Sequence, residues 1–211
     1  MPKKSSSQKI LRFYTKLKQD LESIPPQATI DVRVLSRILG RRLNKKYHTK
    51  FYATPWPDIR DVLVVSGVFN AWPENGPYLF EMVITYDKQT SVFEFTEEFS
   101  WNHLMNTLLE CITHEYAHLE QYRKHKDKRK RRTHRVKLKD KDFDYYCSND
   151  EIDAYSWSLA IECASRRGED NLINPDADSV FWSFEPYFKQ YPWVRQRLIS
   201  KSYTRLKSIL P

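Results

Sequence analysis

His114-Glu115-Tyr116-Ala117-His118 constrains this 211-residue chain more than any other stretch. It lies within Leu104 to Gln121, a run without Gly or Pro that reads as one helix. Residues four apart on a helix share a face, so both imidazoles can reach a single metal ion. The Glu beside the first His can then hold and deprotonate a metal-bound water. Leu108, Leu109, Ile112, Tyr116 and Leu119 form an apolar stripe at helical spacing. Thr107, Cys111, His114, His118 and Gln121 fall on roughly the opposite side. One face is therefore expected on a core, with the histidines turned toward a cleft. The plain alternative, two ordinary polar positions on an amphipathic helix, requires the motif to fall into phase with the stripe by chance.

A catalytic zinc takes three protein ligands and leaves a position for water. The best third candidate is Glu151, in the segment Ser148 to Ala160. That segment reads as a second helix, with Ser148 as N-cap and Glu151 at the capping-box spacing. Ala154 is small enough to let this helix approach the first closely. Glu151 acting only as a cap is the plain alternative. Asp150 and Asp153 compete with it as carboxylates, and His134, in a basic stretch, ranks below Glu151.

His114-Glu115-x-x-His118 followed by Glu151-x-Asp153-Ala154 resembles the zincin metallopeptidases whose third ligand is Glu, the gluzincins. The likeness is closest to compact bacterial and phage-encoded forms with Glu-x-x-Ala on the second helix. Thr113 to Tyr122 is similar in wording to small phage-encoded metallopeptidase-like proteins, in which a basic linker joins the two motifs. This chain departs by carrying Asp153 as the second acid and Asn149-Asp150 ahead of Glu151. The specific part of the resemblance covers about Trp101 to Ala164. It implies Zn2+ on His114, His118 and Glu151, with Glu115 as catalytic base. It also implies an extended substrate added to the strand nearest the cleft, for which Phe93 to Phe95 is the candidate.

The expected fold is α+β and zincin-like: a small, mostly antiparallel or mixed sheet packed on the motif helix, a second ligand-bearing helix, and extra N- and C-terminal helices. One domain over 1–211 is expected, with 1–6 as a flexible tail. Ser7 to Ile24 reads as a helix with Ile10, Leu11, Tyr14, Leu17 and Leu21 on one face, stopped by Pro25-Pro26. Asp31 caps a second, reaching about Tyr47. Asp61 to Phe69 reads as a buried strand, and Pro73, Asn75-Gly76 and Pro77 mark a turn. Tyr78 to Tyr86 and Ser91 to Thr96 read as two strands joined by a hairpin loop, the second half-exposed. Farther on, Phe181, Trp182, Phe184, Tyr187, Phe188 and Tyr191 are expected in a core, ahead of a basic amphipathic helix opened by Pro192.

Charge is local. Arg123 to Lys141 holds twelve Lys/Arg against two Asp, so with +8 for the whole chain the remainder carries −2. Lys128, Arg129, Lys130, Arg131 and Arg132 are the candidate contacts for nucleic acid or an acidic partner. The run lacks interleaved aromatics, so any nucleic-acid contact would be to phosphates. A merely solvated segment is the plain alternative. Cys111, Cys147 and Cys163 cannot all pair and match no Cys-x-x-Cys site, which suits reduced thiols in a cytoplasmic setting, host cytoplasm or virion if the chain is phage-encoded. Cys111 is read as a packing residue near the cleft. No apolar run reaches about 18 residues and no apolar stretch follows the N-terminal charges, so neither a membrane span nor a secretory signal is expected.

The constellation points to a zinc metallopeptidase in which Glu115 takes a proton from water and returns it to the leaving amine of a peptide substrate. Tyr145, Tyr146, Tyr155 and His125 are candidate oxyanion donors, with Tyr155 preferred. The rival is a catalytically silent zincin-fold protein, structural or nucleic-acid-associated, that works through the basic segment. A metal-dependent hydrolase acting on another bond is a third reading.

Overall fold

In the computed structural model the described residues are 5–59, 62–69, 79–97, 99–132, 148–165, 168–176, 179–189 and 191–210, without the side chains of 125–132 and 171. The turn at Pro73 to Pro77, His134, Tyr145, Tyr146, Cys147 and the side chains of His125 and Lys128 to Arg132 lie outside them. The fold class is α+β, as the sequence implies. By packing, the chain divides into two compact units. One is Arg12–Glu115, and the other is Met1–Leu11 with Tyr116–Pro211.

Helix α1 spans Ser6–Glu22. Ser5 and Gln8 cap it reciprocally, Gln8 N–H donating to Ser5 Oγ (3.3 Å) and Ser5 N–H to Gln8 Oε1 (3.1 Å). Ile10, Tyr14, Leu17 and Leu21 are buried along one stripe, as their spacing predicts. In the unit of residues 12–115, strand β1 (Thr29–Asp31) runs into helix α2 (Val32–Tyr47). Asp31 caps α2 by accepting from Arg33 N–H at 2.8 Å, and Val32, Leu35, Leu39 and Leu43 turn inward while Val34 is exposed.

Strands β2 (Thr49–Trp56), β3 (Val64–Phe69) and β4 (Phe80–Asp87) form one sheet in the order β2-β4-β3. Strand β4 is central, parallel to β2 and antiparallel to β3, so the sheet is mixed. Phe80, Met82, Ile84 and Tyr86 alternate inward along β4. Strand β2 escapes the sequence reading because it follows α2 after a single residue, His48, and carries Pro55, which only an edge strand tolerates. Strand β3 is also an edge. Its continuous apolar run reads as buried on both faces, yet Val64 and Val68 are exposed.

Strand β5 (Val92–Glu94) corrects the expected hairpin. It pairs antiparallel with β1, not with β4, with Ile30 opposite Phe93. The cause is a polar anchor at its start. Ser91 Oγ donates to Asp31 Oδ2 (2.8 Å), Arg33 donates to Ser91 Oγ (2.9 Å), and Val32 N–H donates to Ser91 O (2.8 Å). Along β5 only Phe93 turns inward, which bears out its half-exposed reading.

Helix α3 (Trp101–Arg132) begins at a Ser100 cap, where Ser100 Oγ accepts from His103 N–H (3.2 Å). The other unit is built on helix α4 (Asn149–Ser165) packed against helix α7 (Pro192–Ile209). Between them come helix α5 (Asp170–Ile173), a 3-10 turn (Val180–Phe184) and helix α6 (Glu185–Phe188). Ile152, Leu159, Phe181, Phe184, Val194, Leu198 and Leu206 form its core. Trp182, expected in that core, is exposed, and its indole N–H donates to Asp176 O (2.8 Å). Tyr203 on α7 is also exposed. No helix among the described residues is long and apolar enough to cross a membrane.

Candidate metal centre

The motif lies in α3 as its periodicity implies. Leu108, Leu109, Ile112 and Leu119 are buried, and so are Thr113, His114, Glu115 and Ala117. Helix α4 starts where Ser148 Oγ accepts from Glu151 N–H at 3.1 Å. The cap is made to the backbone N–H of Glu151, and its carboxylate is directed at His118. His118 Nε2 and Glu151 Oε2 are 3.4 Å apart. One donor atom each from His114, His118 and Glu151 lie within 4.8 Å of one another, and this group could hold a metal ion. Among the described residues it is the one such cluster of His, Cys, Asp or Glu.

The donor set fits a divalent transition metal. Two imidazoles and one carboxylate are the borderline ligands that such ions prefer. Donors about 2.1 Å from a tetrahedral centre stand about 3.4 Å apart, the spacing between His118 and Glu151. A direct charge-assisted hydrogen bond would draw the pair closer, to about 2.7–2.9 Å.

Ala117 and Ala154 are wholly buried in one cluster with Trp157 and Ile10, so small side chains occupy the place where α4 meets this part of α3. The competing carboxylates are accounted for differently. Asp153 points to α7, where it bonds Lys201 and accepts from Arg205 Nη2 at 3.1 Å. Burial works to raise its pKa, but these two cations outweigh it and hold the carboxyl below the ordinary range. Asp150 contributes its backbone carbonyl, which accepts from Gln121 Nε2 at 2.8 Å. Gln121 Oε1 is in turn 2.9 Å from His118 Nδ1. On the same helix Glu120 is 1% exposed and held below the ordinary range, because Lys9 and Arg123 outweigh its burial.

Tyr155 lies one turn after Glu151, and its ring packs edge-on against Phe184 at 5.0 Å, in the core of the helical unit. Phe93 and Phe95 pack into an aromatic cluster with Phe99 and Trp101. Strand β3 lies beside Glu115. A Cβ on Gly67 would stand 3.2 Å from Glu115 Cγ, and Cys111 Sγ lies 3.8 Å from Val65 O. The Cys111 thiol is pushed up to about 12, first by burial and then by the carboxylates of Glu110 and Glu115. That makes it an inert packing group.

Two residues of the site carry no role in the sequence reading. Gln121 falls on the histidine face by periodicity, but nothing in its spacing shows what its amide meets. Gly67 does leave a signal, since an isolated Gly inside an apolar strand commonly marks a close approach. No known family model matches this chain, and no curated protein or solved structure matches it.

Proposed function

We propose that the chain is a zinc-dependent metallopeptidase, with the ion on His114, His118 and Glu151 and Glu115 as general base. The observation that carries this reading is the gathering of those three donors within 4.8 Å of one another, beside a buried Glu that such a site needs only for chemistry. A purely structural site has no use for Glu115. Zinc bound there would supply a Lewis acid and lower the pKa of water toward neutrality. Glu115 takes a proton from the attacking water and hands it to the departing amine. Its carboxylate can be aimed because its stem rests beside Gly67 of β3. Strand β3 is an edge of its sheet, which suits an extended peptide laid along it by strand addition.

The test is metal content by elemental analysis in wild type, H118A, E151A and E115Q, followed by cleavage of a mixed peptide library. Zinc in wild type and E115Q, its loss from H118A and E151A, and cleavage by wild type only are expected. Zinc that survives in E151A would remove Glu151 from the ligand set. Cleavage by E115Q at the wild-type rate would remove Glu115 as base. Zinc binding without cleavage, joined to salt-dependent DNA binding, would move the reading to a silent zincin-fold binding protein.

A further inference from the structure

Gln121 sits one turn beyond His118 on α3 and is buried, yet its amide is bonded at both ends. The chemistry of its partners determines its orientation. A carbonyl oxygen only accepts, so the atom 2.8 Å from Asp150 O is the amide nitrogen. The other end is then the amide oxygen, which also only accepts. The His118 nitrogen facing it at 2.9 Å must therefore donate, and Nδ1 carries a hydrogen. A neutral imidazole protonated at Nδ1 bears no hydrogen on Nε2, the nitrogen turned toward Glu151. Asp150 immediately precedes Glu151 in the first turn of α4. One side-chain amide thus selects the coordinating nitrogen of one ligand and tethers the turn that presents another.

We propose that Gln121 is a positioning residue of the metal centre, holding His118 in the Nδ1–H tautomer with Nε2 turned to the metal and tying the start of α4 to α3. The inference rests on His118 and Glu151 being metal ligands and deepens that reading; it does not need the substrate to be a peptide. Outer partners of this kind are commonly worth about 10–100-fold in metal affinity.

The test compares wild type, Q121L and Q121E. The first measurement is the His118 tautomer in metal-free protein, from long-range proton–nitrogen NMR correlations. The second is zinc affinity by competition with a chromophoric chelator. Wild type and Q121E are expected to show Nδ1–H, because a carboxylate also accepts from it, and Q121L is expected to lose that preference. Zinc affinity is expected to fall about 10–100-fold in Q121L and by clearly less in Q121E, which keeps the acceptor for Nδ1–H and loses only the tie to Asp150 O. Both variants lose the donor to Asp150 O, so a residue that merely glues the helices would weaken zinc equally in both. Equal losses, or an Nε2–H tautomer in wild type, would overturn the proposal. If Q121L does not fold, the wild-type tautomer and the Q121E affinity still decide it. Should the zinc pattern hold while no peptide is cleaved, the peptidase reading fails and the role of Gln121 stands.

Discussion

Replacing Gly67 by Ala tests the packing beneath Glu115. The backbone itself does not oppose the change, because the positive-φ glycine among the described residues is Gly168, not Gly67. Stiffening the unfolded chain would even favour Ala by about 0.4–1 kcal/mol. The obstacle is Met82, its direct partner across the β3–β4 pair. The new Cβ would stand 2.9 Å from Met82 Sδ and 3.0 Å from Met82 Cε, where carbon contacts normally settle near ~3.5–4.0 Å. Met82 is fully buried, so its thioether must retreat by roughly 0.5–1 Å into filled space. Overpacking of this kind costs about 1–3 kcal/mol, and mid-range values of about 2 against about 0.7 leave a net loss of roughly 1 kcal/mol. Urea unfolding of wild type, G67A, M82V and the double variant measures it. Val lacks the atoms that clash, so G67A should cost far less on the M82V background. If G67A is as stable as wild type, or if M82V gives no relief, the account of Gly67 as the slot filled by Met82 is wrong. Glu115 Cγ must also give by a few tenths of an ångström, so peptide cleavage should fall in G67A while zinc content holds.

Other outcomes follow from the same structure. D153N should lower stability by on the order of 3 kcal/mol, because it strips two partly buried cations of their partner, while zinc content stays at the wild-type level; loss of zinc from a folded D153N would restore Asp153 as a ligand. The Asp153 and Glu120 carboxyls are depressed in the folded state, so their stabilisation is present above the ordinary carboxylate range near ~4 and drains away as pH falls through the folded values. Melting temperatures from pH 7 to pH 3 should drop, with a shallower acid slope in D153N than in wild type. Added zinc should raise the melting temperature of wild type and not of H118A, by an amount equivalent to about 4 kcal/mol when free zinc is roughly 1,000 times its dissociation constant. Cys111 and Cys163 should resist alkylation in the native protein at pH 8 and react on unfolding; rapid labelling of Cys111 would contradict its partial burial and raised pKa.

The helices and the metal cluster were legible in the chain because their signals are local. A stripe at 3.6-residue spacing, a Ser or Asp at the cap, and two His four apart each depend on a few neighbouring residues. Thus α1, α2, α3 and α4 begin within a few residues of their expected starts, and His114 and His118 share a face as their spacing implies, with Glu151, the preferred third candidate, beside them. Strand pairing depends on residues far apart in sequence, and that is where the reading failed. The loop after β4 has hairpin length, but Ser91 and Asp31, sixty residues apart, take β5 to β1 instead. An edge strand and a central strand can carry the same apolar run, so the exposure of Val64 and Val68 was invisible until β4 had its two neighbours.

What the sequence alone determined is therefore the set of donors: which side chains can bind a metal and on which helical faces they stand. Tertiary structure decided which of the equivalent groups come together. Glu151 and Asp153 are both acids in one short helix, and only the packing of α4 against α7 directs Asp153 to Lys201 and Arg205 while Glu151 turns to His118. Likewise an amide such as Gln121 has no preferred meaning in a sequence. Its role arises from a carbonyl on one side and an imidazole on the other, contacts that exist only once the two helices have met.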